Sequence, residues 1–550
     1  MRPEVRTFVI VACLVAPAAA MAQWSTDPGA NLAIGDRTGI QNQAKIVSRA
    51  DSASWISWFD NSAGGYKPTL QLLSADGVEQ FAHNGITLAN TTNSSTVDYD
   101  LKVDGGGNAL VTFMDNSSGT SQVTAMKISV DGTRLWGAAG VQLPSSTGAS
   151  NPKIAALADG TVMVGWSVSG GFTLRHLGNN GGLLDANFAI AEAGRSVTLS
   201  DLQASSDGHV IALWVRPFTT SFLSSKYLYT QKFTPSGAAQ WTATPGFAAV
   251  CVYGPPQGGA YPNVQGGSIQ NGYFPVCFPD ATGGAAYAWY ENAGPRNAFV
   301  QRVTGGGALL FALHGLPIAA VEAGRLRLSA GASFDKVTRT MIVAATESNT
   351  NQNQFGLMVQ KISDETGLEW GVSGTRLMDL NANQSSFARA LALPSVNGLA
   401  TGGVVACFDA RSATTGVVPT WGLNPDGSFI WGGTNAPASL CTVVSGKARL
   451  DAVMGPDRTA RFVWADSRNE ATTGQDIVAQ NINADGTLGM PPAPCRVDVD
   501  HDGIVSPDDL ADYITAFFSI PPADGSDFDG NGIVDPDDLA DFIAAFFAGC

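Results

Sequence analysis

Hydrophobic and polar residues alternate in short runs through most of this chain, with turn signals between the runs. "MKISVDGTRLWGAAGVQL", "TQKFTPSGAAQWTATPGF", "VQKISDETGLEWGVSGTRL" and "WGLNPDGSFIWGGTNAPASL" follow one plan. Each is an alternating strand, an Asp-Gly-type turn and a second strand beginning near an aromatic, which predicts a β-hairpin. Another hairpin pattern precedes it, as in "KIAALADGTVMVGWSV" and "RLDAVMGPDRTARFVWAD". Weaker copies are "LQLLSADGVEQFAHNGITL", "LRHLGNNGGLLDANFAI" and "VQRVTGGGALLFALHGLPI", and an eighth, "VAQNINADGTLGM", stops short. The turn glycines Gly77, Gly132, Gly181, Gly237, Gly307, Gly367, Gly427 and Gly486 recur at roughly the interval expected of propeller blades.

Four short strands per copy cannot bury both faces of one sheet, so the copies are expected to stack around an axis. The expected fold class is mainly β, an eight-bladed β-propeller over residues 23–488. The eighth copy lacks a fourth strand, and "WSTDPGANLAI" at Trp24–Ile34 matches the missing phrase. The chain's first strand is therefore expected to complete the last blade, removing two exposed sheet edges.

Repetition also interprets single residues. Trp136, Trp241 and Trp431 recur just after the turn, and Trp58, Trp166, Trp214, Trp289 and Trp464 in the second strand, which predicts packing between blades. Asp60, Asp115, Glu291, Glu347, Asp409 and Asp466 end the second strand in six copies. A ring of acids at a channel mouth is one reading; local acceptance of backbone N–H groups, as Asp does in turns, is the plainer one. Loops such as "DNSAGGYKPT", "RPFTTSFLSSKY" and "ESNTNQNQFG" lie where second and fourth strands end, and that face is the expected place for a glycan or protein partner.

Residues 1–22 read as an export signal: Arg2 and Arg6, the apolar "FVIVACLVAPAAA", then Ala20-Met21-Ala22 before Gln23. Lipidation at Cys13 is the weaker alternative. No other stretch could span a bilayer, so a secreted or cell-surface location is expected. Six cysteines follow the signal, and export favours disulfides. The pairings suggested are Cys251–Cys277, Cys407–Cys441 and Cys495–Cys550.

The net charge of −16 is concentrated: residues 496–550 hold thirteen Asp and one Arg, leaving the main body near neutral. Neither part carries the basic footprint of a nucleic-acid binder. After a Pro-rich linker (489–494), the tail repeats one twelve-mer, "DVDHDGIVSPDD" and "DFDGNGIVDPDD". Calcium takes six to eight oxygens, from positions 1, 3, 5, 7, 9 and 12 of an EF-type loop with Gly at 6. The first loop offers Asp498, Asp500, Asp502, the Ile504 carbonyl, Ser506 (through water) and Asp509; the second offers Asp527, Asp529, Asn531, the Ile533 carbonyl, Asp535 and Asp538. Helices are predicted after each loop, with apolar stripes Leu510, Tyr513, Ile514, Phe517 and Leu539, Phe542, Ile543, Phe546.

No entering helix precedes either loop, so these are loop-plus-exit-helix halves. In this, residues 495–550 resemble the dockerin module of bacterial cellulosomes, two F-hand calcium repeats at the end of a secreted protein. The resemblance implies two bound Ca²⁺ and docking to a cohesin-like or cell-surface protein. It departs from the family at loop positions 10 and 11, where dockerins often carry Ser-Thr for cohesin contact and this chain has Pro507-Asp508 and Pro536-Asp537.

No HExxH, GxSxG or P-loop occurs. The five histidines (His83, His176, His209, His314 and His501) read as surface or packing residues. The expectation is thus a secreted calcium-binding protein with a propeller that binds rather than catalyses. The alternatives are an extracellular polysaccharide-degrading O-glycosyl hydrolase and a structural protein of the cell surface.

Overall fold

The repeated hairpins fold as small antiparallel sheets. The structure is a computed structural model describing residues 23–95, 98–143, 148–192, 194–221, 223–244, 249–254, 267–292, 296–395, 402–410, 415–491, 496–499, 505–519, 522, 526–528 and 533–548. Six sheets are built from consecutive strands, four with four strands and two with five. The seventh, of eight strands, holds the first and last repeats, joined where Gly39 and Ile40 pair in parallel with Gly474 and Gln475.

The inner strands follow one another round the molecule: Gly39–Ser48, Asp100–Val103, Ser150–Ala156, Thr198–Ala204, Cys277–Pro279, Arg325–Asp335, Gln384–Ala392 and Lys447–Met454. Each lies against the next repeat, and the last returns to the first. The second strands sit between two layers of neighbours, which is why Ser54–Asp60, Ala109–Asp115 and Ala460–Asp466 are buried along their whole length. The arrangement is mainly β and propeller-like.

The N-terminal strand lies where the repeat pattern places it. Leu32–Gly35 pairs antiparallel with Gly474–Ile482, Leu32 opposite Ala479. Trp24 repeats a contact made elsewhere in the chain. Trp136, Trp241, Trp370 and Trp431 each donate an indole N–H to a carbonyl in the next repeat's turn, at 2.8 to 3.2 Å. The turn glycine of that next repeat sits against the indole, so a Cβ at Gly181, Gly307, Gly427 or Gly486 would meet it within 2.6–2.8 Å. Trp24 does the same to the first repeat: its Nε1 donates to Ala75 O at 2.8 Å, and Gly77 packs on its ring. The turn glycines are thus required twice, for their positive φ and for the absent side chain.

Two of the suggested disulfides are corrected. Cys251, Cys277, Cys407 and Cys441 are buried free thiols. Cys277 begins an inner strand, its N–H donating to Asp201, whereas Cys251 lies in the outermost strand of the preceding sheet opposite Tyr229. Cys407 packs in the core on one side of its sheet and Cys441 in the core on the other. Burial pushes the Cys251 thiol up to about 12. Cys495 and Cys550, like residues 1–22, lie outside the described residues.

In the tail, Pro507–Phe517 (α1) and Pro536–Ala548 (α2) form as predicted, each with Pro at its first position. Tyr513 and Phe542 stack with ring centroids 3.8 Å apart, and Leu510, Phe517, Leu539 and Phe546 pack around them. Ile514, assigned to the apolar stripe from sequence, is instead exposed. Among the described residues no helix is long and apolar enough to cross a membrane.

Candidate functional site

The inner strands do more than close the core. Four of them break their pairing with the second strand at the same place, near their start, by a two-residue bulge. At each bulge one non-glycine residue takes a left-handed conformation: Gln43, Asn151, Phe387 and Arg449, with φ between 49° and 61°. Such a conformation costs on the order of 1–2 kcal/mol for an L-residue. A bulge re-aims side chains, and all four of these line one central cavity of about 460 Å³. A larger one of about 740 Å³ adjoins it, sharing Phe274, Val276, Arg389, Arg449 and Asp451. A third, of about 340 Å³, carries Tyr273, Tyr290 and Phe387. The aromatic wall is continuous, with the Tyr273 and Tyr290 rings 4.6 Å apart.

The residue two positions after the left-handed one also faces the cavity: Lys45, Lys153, Arg389 and Asp451. Asp98 lies between Lys45, at 3.4 Å, and Lys153, with which it makes a short ion pair. Burial opposes ionisation of Asp98, but the two ammonium groups hold its carboxyl well below the usual range. Asp98 is therefore not poised to donate a proton. Asp451 pairs with Arg389 at 3.4 Å and accepts the Ile46 N–H.

The smaller chamber is lined near the start of the inner strands, where Gln41 faces Asp60 and Ser385 faces Asp409, and the larger one extends to Phe334 and Lys336 at the end of theirs. The walls differ from the expectation. Among the described residues of the three polar loops, only "ESNTNQNQFG" contributes, through Phe355 to the smallest of these cavities. The segment 272–276, at the end of a Gly/Pro-rich insertion, supplies Tyr273, Phe274 and Val276.

The six second-strand carboxylates form no open ring, since every one is nearly or fully buried. Asp60 and Asp115 each accept the N–H two residues on, at 2.8 Å, and Asp466 accepts that of Arg468, as the plainer reading expects. The two glutamates differ. Glu347 lies among Arg325, Arg327 and Arg376. Glu291 accepts the Tyr253 hydroxyl at 2.8 Å, and burial pushes its carboxyl up to about 7. Among the described histidines, His83 and His176 lie on the outer hairpins and pair with carboxylates, and none lines the cavity.

The acidic loops show matching geometry wherever they are described. Asp509 accepts Val499 N–H at 2.7 Å and Ser506 N–H at 2.8 Å; Asp538 accepts Phe528 N–H and Asp535 N–H at the same distances. Both carboxylates are fully buried, and Asp498 nearly so. Position 12 therefore ties position 2 to position 9 in both repeats. Carboxylate oxygens are the kind of donor a hard cation takes. Asp527 and Ile533 are described; Asp500, Asp502, Ile504, Asp529 and Asn531 lie outside the described residues. Among the described residues no group of three or more His, Cys, Asp or Glu is placed to hold a metal.

No protein-family model and no curated protein matches the chain. Among solved structures, an ulvan lyase described as a new family of polysaccharide lyase is similar at 8% identity and a TM-score of 0.44, over 73% of this chain and 96% of that one. The lectin BP39L from Burkholderia pseudomallei is similar at 11% identity and a TM-score of 0.41, over 70% and 97%. An α-L-arabinofuranosidase from Clostridium thermocellum is similar at 9% identity and a TM-score of 0.29, over 51% and 94%.

Proposed function

We propose that this chain is an exported glycan-binding protein, built on a closed eight-bladed propeller and carrying a calcium-stabilised, dockerin-like tail. Eight repeats each give an inner strand to the wall of one central cavity, and the N-terminal strand with Trp24 completes the eighth. The observation that carries the binding reading is the set of left-handed bulges at that cavity. A fold tolerates such strain where side-chain aim is used. Phe387 beside Tyr273 and Phe274, with the amides of Gln43 and Asn151 nearby, offers ring faces and hydrogen-bonding groups together, the mixture that holds a sugar.

A glycosidase needs a protonated carboxyl opposite a second carboxylate. Asp98 and Asp451 are both committed to cations, which favours binding over hydrolysis. In the tail, two Ca²⁺ would be held by the twelve positions named from sequence, with Asp509 and Asp538 already oriented by backbone amides. Calcium there supplies charge neutralisation and loop closure, and the packed helices would present the module to a cohesin-like or cell-surface partner. A glycan array probed with the full chain, followed by a reducing-sugar assay on every hit, tests the reading. Retention without sugar release is expected; release would make the protein an enzyme, and an array with no hit would remove the glycan reading.

A further inference from the structure

The cavity has the opposite sign to the protein. The chain carries −16, yet six cations face the two central chambers, Lys45, Lys102, Lys153, Lys336, Arg389 and Arg449, against the carboxylates Asp98 and Asp451. Behind the wall, Asp100 lies 3.9 Å from Lys102, and Asp201 accepts the Cys277 N–H and the Gln203 amide. Counting these two as well still leaves a surplus of cations. Asp98 is shared by two lysines, and Asp451 serves Arg389. Lys336 and Arg449 are exposed and have no carboxylate partner among the described residues. Arg449 is also one of the strained bulge residues, so a guanidinium lines the cavity at a conformational cost with no carboxylate among the described residues to pair with.

Like charges gathered in a low-dielectric recess repel one another, and a cleft lined by one sign focuses its field on ligands of the other. We propose that the ligand of this cavity is an acidic glycan, its carboxylates or sulfates read by Arg449, Lys336 and Arg389 while Phe387 and Tyr273 take the faces of its sugar rings. The assignment rests on the glycan-binding reading and deepens it. Arg suits such a ligand because its planar fork matches carboxylate and sulfate bidentately.

The test is calorimetric titration of the full chain with three oligosaccharide sets: oligogalacturonate, its fully methyl-esterified and hence neutral form, and a sulfated chondroitin oligomer. The inference expects at least one charged set to bind tenfold or more tighter than the neutral ester, with affinity falling steeply as salt rises. Preference between the galacturonate and sulfated arms identifies the anionic group. Arg449→Gln should weaken the charged ligand tenfold or more while leaving the neutral ester within twofold, and Lys336→Gln should act in the same direction. Equal binding of charged and neutral forms, or charged binding indifferent to both substitutions, would overturn the charge assignment and leave the glycan reading standing. Binding of none of the three, with hits elsewhere on a neutral array, would also overturn it. An empty array would remove the reading on which it rests.

Discussion

Gly77→Ala should weaken the join between the N-terminal strand and the first repeat far more than an ordinary glycine substitution. Gly77 has φ +84°, which costs an alanine about 1–2 kcal/mol. The added Cβ would stand 2.7 Å from Trp24 N and 2.8 Å from Trp24 Cδ2. Carbon contacts prefer roughly 3.5–4.0 Å, so Trp24 must withdraw. It would then lose its indole bond to Ala75 O and its backbone bond to Asp76 O, each worth roughly 0.5–1.5 kcal/mol. With part of its burial lost too, the total reaches about 4 kcal/mol. Gly208→Ala is the matched control, because Gly208 has φ +79° and nothing within 4 Å of the added Cβ. It should cost only the conformational part, about 1–2 kcal/mol. Urea unfolding followed by tryptophan fluorescence measures the difference, and limited proteolysis reports release of the N-terminal strand. Equal losses in the two variants, with no new cleavage near the N-terminus, would show that Trp24 secures nothing.

Three further outcomes follow from the same geometry. Arg449→Gly relieves a left-handed arginine and should raise the unfolding free energy from urea titration slightly, by up to about 1 kcal/mol, while weakening an anionic ligand by about 1.5–3 kcal/mol; lost stability with unchanged binding would make the bulge merely structural. Glu291 is raised to about 7 by burial, so its contribution is fully present below its unfolded pKa of about 4.5 and is lost as pH rises through 7. His314, held down to about 4 by burial, acts in the opposite direction at the acid side, so the informative comparison is Glu291→Gln against the parent between pH 5 and 8, where the variant's melting temperature should fall less. Chelation by EDTA should lower the melting temperature of the tail's helices in the full chain, seen as loss of helical circular dichroism, and Asp509→Ala with Asp538→Ala should abolish the recovery on adding calcium; no difference between EDTA and millimolar calcium would refute metal binding.

The repeat made much of this architecture legible. Strand alternation, turn glycines and recurring tryptophans are local signals, and the contacts at Gly181, Gly307 and Gly427 show why they recur together. The fourth strand missing from the last copy pointed to the N-terminus, where Leu32–Gly35 pairs. The cavity was not legible. Gln43, Asn151, Phe387 and Arg449 are ordinary residues in strand-like stretches, and no glycine marks their left-handed backbone. The cations that converge on the axis come from separate repeats and share no motif in the sequence. Thiol pairing failed for a related reason: strand ends on one face can still be far apart radially, as Cys251 and Cys277 are, or lie on opposite sides of one sheet, as Cys407 and Cys441 do. The acidic second-strand ends were visible as a set, but only packing separates the turn-bound aspartates from Glu347 among its arginines.

Hydrogen–deuterium exchange on the full chain, with and without a bound acidic oligosaccharide, tests most directly whether the central cavity is where this protein meets its ligand. New protection confined to residues 272–276, 387–389 and 449–451 is the result the cavity's geometry predicts. Protection only on the outer hairpins or in the C-terminal tail, with those three segments unchanged, would contradict it.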